Sequence, residues 1–252
     1  MPEKTARLTA NTRLEDALDF SIRDYWGSLY AAKRGFQDVP PTLYRGFLML
    51  KIPSDLFTYE SILWDVRPEL VVEIGTLEGG SALWFHDRLH LLKVKGLIKN
   101  FQVVSIDLGP RRPDDSFFER CPDAQGTLKF LRGDARDARV VEAVRELGRG
   151  RPRCLVVDDS AHDKTTTLGL LRAYGDMVSP GSYFVVEDGV VDMPRLRDAI
   201  APVRSERNQK SWPTGVGAAI NEWLSERTDF RIDRGREATV TCNPCGYLKR
   251  IA

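Results

Sequence analysis

The sequence predicts a doubly wound α/β protein on a mainly parallel sheet, with an N-terminal helical extension. Three observations carry this reading. Short apolar runs alternate with helix-periodic stretches from Leu70 to Val186. Such alternation implies parallel strands covered by helices on both faces. Acidic residues recur where the runs end, at Asp107, Asp134, Asp158–Asp159 and Glu187–Asp188. Ligands of such sheets bind beyond the carboxyl ends of the strands, where strand order reverses.

The elements follow in order. Leu14, Leu18, Ile22, Tyr25, Trp26, Leu29 and Tyr30 recur at helical spacing, and Val39–Pro40–Pro41 ends that pattern. Residues 1–50 are therefore read as the helical extension and 51–252 as the main domain. Ser54 is the expected cap of a helix from Asp55 to about Val66, with Pro68 just beyond it. Strands are expected at Leu70–Ile74, Phe101–Ile106, Leu128–Leu131, Cys154–Val157 and Ser182–Val186. Helices are expected from Gly79 to about Leu92, Ala138 to Leu147 and Lys164 to Val178, and near Pro194–Ala201 and Val216–Glu226. Phe230–Ile232 and Ala238–Thr241 read as short closing strands.

Composition narrows the partners. The formal charge is +1 over 252 residues, so no basic surface argues for nucleic acid or an anionic membrane. No apolar run is long enough for a membrane span, and residues 1–11 lack a secretory pattern. Four cysteines do not make a disulfide framework in a chain of this size, and a reducing cytoplasm is the expected setting. Cys154 reads as core; Cys121 falls in a polar loop. Cys242 and Cys245 form a lone C-x-x-C, with no further ligands at zinc spacing. His86 and His90, four apart on a helix, are read as surface residues in preference to a metal pair.

The first strand runs into Glu73–Ile74–Gly75–Thr76–Leu77–Glu78–Gly79–Gly80–Ser81. Glycines let the chain turn tightly and let a ligand approach the backbone. Leu77 stands where a dinucleotide fingerprint needs its second glycine, and no Gly-Lys-Ser/Thr follows for a P-loop. An acidic residue before G-x-x-x-G instead resembles the turn of S-adenosylmethionine (SAM)-dependent methyltransferases, which wraps the cofactor's amino-acid part. Glu73, Gly75, Thr76, Gly79 and Ser81 become candidate SAM contacts. Asp107 ends the second strand, where a carboxylate can accept hydrogen bonds from ribose hydroxyls. Asp134 ends the third, either beside the adenine or as a plain turn or cap residue.

Asp159 and the pair Glu187–Asp188 end strands four and five. On neighbouring strands they lie about 4.8 Å apart and can converge. Crowded carboxylates repel, and a hard divalent cation relieves them. Asp159, Glu187 and Asp188 are the candidate Mg²⁺ ligands; the alternative is a set of solvated turn residues. His162 stands three residues beyond Asp159. It is read either as the base for a substrate hydroxyl, with Asp159 as its catalytic companion, or as structural.

Together these motifs resemble the cephalosporin hydroxylase and rhamnosyl O-methyltransferase family. The resemblance runs from about residue 50 to 250. It rests on Lys51–Ile52–Pro53–Ser54–Asp55–Leu56, the glycine turn through Leu83, Asp159–Ser160–Ala161–His162, Ser179–Pro180–Gly181–Ser182–Tyr183, Val186–Glu187–Asp188, and Asn243–Pro244–Cys245–Gly246–Tyr247–Leu248 with Arg250. It implies binding of SAM and Mg²⁺, the metal on Asp159, Glu187 and Asp188. It also implies methyl transfer to a sugar or other small hydroxylated natural product. The stretches 108–126 and 208–217 are the expected substrate-facing regions. The extension is expected to cover a substrate mouth or a subunit interface of a homo-oligomer. A nicotinamide-dependent oxidoreductase and a SAM-binding partner protein in β-lactam methoxylation are the alternatives.

Overall fold

A computed structural model describes residues 42–109, 113, 116–192 and 215–252. The expected helices over 12–36 and near 194–201 lie outside the described residues, as do parts of both expected substrate-facing stretches.

The described chain opens on a hairpin, β1 (Leu43–Tyr44) and β2 (Phe47–Leu48). It falls inside the stretch read from sequence as helical. Arg45 and Gly46 turn it, both at positive φ (50° and 83°), the geometry of the turns that suit tight hairpins. Helix α1 (Pro53–Val66) follows. Ser54 does not cap it. Ile52 is the N-cap, with no side-chain cap bond, and Pro53 starts the helix because its missing N–H is not needed in the first turn.

Strand β3 (Leu70–Ile74) then enters the glycine turn and helix α2 (Gly80–Val94). Next come β4 (Gln102–Asp107), a short helix α3 (Ser116–Arg120), β5 (Leu128–Arg132) and α4 (Ala138–Gly148). Strand β6 (Cys154–Asp158), helix α5 (Lys164–Tyr174) and β7 (Tyr183–Val186) continue the alternation. Asp137 and Asp163 cap α4 and α5, accepting hydrogen bonds from the backbones of Arg139 and Thr166. Helix α6 (Val216–Ser225), β8 (Phe230–Ile232) and β9 (Tyr247–Arg250) complete the described elements.

The seven strands lie in the order β5–β4–β3–β6–β7–β9–β8. Pairings from β5 through β7 are parallel, and those of β9 with β7 and β8 are antiparallel. Strand order reverses between β3 and β6, the place where such sheets bind ligands. The expected strand at 238–241 does not form. Its neighbourhood bonds elsewhere: the Cys242 N–H donates to Asp55 and the Asn243 N–H to Thr241 Oγ1. Tyr247–Arg250 is the strand instead.

The sheet has two apolar faces. Val71, Val103, Leu155, Val157 and Val185 pack with α1, α2 and Phe117. Val72, Val104, Val156, Phe184 and Val186 pack with α4, α5 and α6. Cys121, read as a loop residue, is buried in the first layer, and Cys154 in the second. All four cysteines are free. Among the described residues no helix is long and apolar enough to cross a membrane.

Trp223 anchors the second layer. It is 1% exposed, its ring 4.6 Å from that of Phe230 and 6.5 Å from that of Phe184. Trp223→Ala should cost about 3–5 kcal/mol of stability, as large-to-small core changes do. Chemical denaturation checks this; a loss below about 1 kcal/mol would refute the anchoring role.

Candidate active site

The turn after β3 is shaped by three left-handed residues, Gly75 (φ 104°), Leu77 (φ 52°) and Gly79 (φ 86°). A Cβ on Gly75 would overlap the carbonyl of Asp159, so this position must be glycine. Gly79 serves packing: a Cβ there would press on Pro113, Phe117 and Phe130. Asp107 braces the turn. Its Oδ2 accepts from the N–H groups of Thr76 (2.9 Å) and Leu77 (3.0 Å), and its Oδ1 from Gly109 (2.7 Å). A cavity of about 490 Å³ opens here, lined by Gly75, Asp107, Leu108, Asp134, Ser160 and Ala161 among others. Asp134 is not a helix cap; its carboxylate clamps the Arg136 guanidinium at 2.7 Å and 3.0 Å.

Behind the turn sits a buried polar chain. Thr76 Oγ1 and Ser105 Oγ are 2.7 Å apart, and Ser105 donates to Glu73 Oε2 at 2.7 Å. Glu73 is fully buried, and burial pushes its carboxyl up to about 7. Its other oxygen, Oε1, is buried near the Ser81 hydroxyl and makes no hydrogen bond among the described residues. A buried acceptor without a partner is costly, and a cationic ligand group would satisfy it.

The acidic residues of β6 and β7 converge as their adjacency requires. Glu187 N–H donates to the Asp158 carbonyl, and Asp159 N–H to the Ile74 carbonyl, both at 2.8 Å. The cluster therefore adjoins the glycine turn. His162 Nε2 lies 3.2 Å from Asp188 Oδ2 and 3.7 Å from Asp159 Oδ1. Ligand atoms of these three residues lie within 4.8 Å of one another. His162 (φ 53°) and Asp188 (φ 60°) are both left-handed, a strain that clusters at functional sites. Asn243 holds Asp188 there, its Oδ1 accepting from the Asp188 N–H at 3.0 Å.

Glu187 is committed elsewhere. Its Oε1 accepts from Lys51 Nζ at 2.5 Å and from the Tyr59 hydroxyl at 2.6 Å. Lys51 also reaches Asp159 Oδ2 at 2.9 Å. Of the three expected metal ligands, Asp159 and Asp188 face one point with His162, while Glu187 is turned toward Lys51. Burial, and then the Asp159 charge, raise the Glu187 carboxyl; burial and the charges of Asp159 and Glu187 raise that of Asp188 well above the usual range. Asp158 is buried, and its Oδ1 accepts from the Ser160 hydroxyl at 2.5 Å. Sequence reading did not single out the roles of Lys51 and Tyr59. The available signal was polar: Asp55 and Tyr59 interrupt the buried stripe of α1, and Lys51 stands among Met49, Leu50 and Ile52.

His86 is a correction. It is 1% exposed rather than a surface residue, its ring 3.0 Å from both Asp87 Oδ1 and Thr127 Oγ1. Asp87 and Asp123 lie close by, but the Arg45 guanidinium already bridges them at 3.1 Å and 2.9 Å. His90 is exposed.

This fold, with a glycine turn, a carboxylate at the end of the second parallel strand and a cavity between them, is that of a SAM-dependent O-methyltransferase. The family model for Rhamnosyl O-methyltransferase/CmcI matches residues 39–251, and the chain belongs to that family. A rhamnosyl O-methyltransferase of Mycobacterium tuberculosis (strain ATCC 25618 / H37Rv) is 28% identical over 230 residues, covering 90% of this chain and 82% of that protein. The apo structure of CmcI-N160 is 25% identical, with a TM-score of 0.58 over 100% of this chain and 89% of that one. CalS11, a TDP-rhamnose 3′-O-methyltransferase of calicheamicin biosynthesis, shares the fold at 16% identity, with a TM-score of 0.51 over 99% of both chains.

The buried carboxyls give the ligand-free protein a characteristic pH response. Glu73 rises from 4.5 to about 7 and Asp158 from 3.8 to about 6, both through burial. The native state then holds protons that the unfolded chain releases. Their stabilisation is complete below the unfolded values and is lost as pH rises through 6 to 7. For Glu73 this difference amounts to about 3 kcal/mol. The melting temperature should therefore fall between about pH 4 and pH 7, and Glu73→Gln should flatten the fall. A Glu73→Gln variant with the wild-type slope would refute the assignment.

Proposed function

We propose that this protein transfers a methyl group from SAM to a hydroxyl of a sugar or glycosylated natural product, with Mg²⁺ at the acidic cluster. The observation that carries the reading is adjacency. Gly75, in the turn that would admit the cofactor's amino-acid end, packs on the backbone of Asp159, which faces Asp188 and His162. Methyl donor and cation would then share one mouth. The family and its rhamnosyl-methylating relatives support a sugar acceptor.

The residues fit both groups. Glu73 Oε1, buried and without a hydrogen-bond partner among the described residues, suits the ammonium of SAM. Asp107 retains acceptor capacity for ribose hydroxyls beside its backbone bonds. Oxygen donors from Asp159 and Asp188 suit a hard divalent ion, with Glu187 completing the negative set from behind. When bound, SAM supplies the methyl group and Mg²⁺ the charge that acidifies an acceptor hydroxyl. The His162 imidazole, held by Asp188 through Nε2, takes up the hydroxyl proton. Asp159 orients the acceptor against the donor, and such positioning contributes much of the acceleration. A homo-oligomer in the cytoplasm is the setting we assign it.

The direct test is mass spectrometry of rhamnosides and other glycosides after incubation with SAM. Acceptors should gain one methyl group, chelation should abolish the gain, and Mg²⁺ should restore it. Full turnover in excess chelator would sink the metal role. Methylation seen only when a second protein is added would favour the alternative of a partner protein.

His162→Ala should lower the single-turnover rate by ~10²–10⁴ while leaving SAM affinity unchanged. A rate within about threefold of wild type would eliminate the base role and leave the methyltransferase reading standing.

A further inference from the structure

Lys51 has no part in the proton or methyl chemistry above, yet it lies at the centre of the acidic cluster. Its side chain is 1% exposed. Its ammonium hydrogen-bonds Asp159 at 2.9 Å and Glu187 at 2.5 Å, and it lies 5.9 Å from the centroid of the Tyr59 ring. A buried ammonium is expensive unless it is paired and hydrogen-bonded, so its position is informative about the charge around it.

The charges can be counted. When a cation binds and displaces their protons, Asp159, Glu187 and Asp188 carry three negative charges, and Lys51 cancels one. The remainder matches a divalent cation. Without Lys51 the remainder would match a trivalent one. Lys51 and Tyr59 also converge on one oxygen of Glu187, whereas Asp159 Oδ1 and Asp188 Oδ2 stay turned toward His162.

We propose that Lys51 is a fixed internal counter-cation that holds Glu187 back from the bound ion and sets the site's preference for divalent over trivalent cations. Lys51 is then a positioning and selectivity residue, not a catalytic one. The inference rests on the acidic cluster being a metal site, as proposed above.

The test measures binding of Mn²⁺ and Tb³⁺ to the full chain by calorimetry, which needs no turnover. Lys51→Met, which keeps much of the stem and removes the charge, should shift the Tb³⁺:Mn²⁺ affinity ratio toward Tb³⁺ by ~10-fold or more, since one unit charge a few ångströms away acts more strongly on the more highly charged ion. Lys51→Arg should keep the ratio within about threefold of wild type, because the charge is retained. The double variant Lys51→Met/Glu187→Gln restores the charge count and should also return to about the wild-type ratio.

An unchanged ratio in folded Lys51→Met overturns this inference while leaving the metal site intact. Wild-type protein that binds neither ion overturns both. If Lys51→Met does not fold, the double variant decides. A folded double variant with the wild-type ratio supports the charge role. One that has an altered ratio or fails to fold assigns Lys51 to packing.

Discussion

The backbone of Gly75 lies so close to the carbonyl of Asp159 that no side chain fits between them. This contact joins the two halves of the sheet where strand order reverses. One half ends in the glycine turn and Asp107, the other in Asp159, His162 and Asp188. Because Asp159 N–H also donates to the Ile74 carbonyl, the separation between the halves is fixed by backbone rather than by rotamers. Rigid backbone spacing is what positioning catalysis needs, since small displacements of reacting groups are costly. Asp107 reinforces the same geometry from the other side by accepting two N–H groups of the turn.

Around this contact the protein tolerates unusual electrostatics. Glu73, Asp158, Glu187 and Asp188 are all buried, and burial raises every one of them. Three left-handed non-glycine residues, Leu77, His162 and Asp188, lie within the same edge. Both features cost stability, and a parallel sheet with two apolar faces offsets them. The division is spatial: apolar layers hold the strands, and the strand ends carry the charge.

Much of this was legible in the sequence, and the reasons are physical. Parallel strands buried on both faces give continuous apolar runs, so β3, β6 and β7 could be bounded to within a residue or so. Strand ends carry the candidate site, so Asp107, Asp159 and Asp188 stood out as acidic stops. Features set by tertiary contact were not legible. The hairpin at 43–48 depends on a two-residue turn and on Tyr44 and Arg45 reaching Asp87. Strand β9 displaced the expected strand at 238–241 because side chains claim the backbone around Cys242 and Asn243. Glu187 could be placed beside its neighbours, but its turn toward Lys51 depends on a residue 136 positions away.

Strand β9 follows β8 in the sequence yet lies between β8 and β7. During vectorial synthesis β7 therefore keeps an open edge until the segment after β8 has emerged, and β8 has no neighbour to join. An open edge is a template for wrong pairing, so this interval is the aggregation-prone phase of the chain's maturation. Asn243, which pins the backbone of Asp188, arrives just ahead of β9. The half of the site that carries charge is thus finished last, by the same segment that closes the sheet.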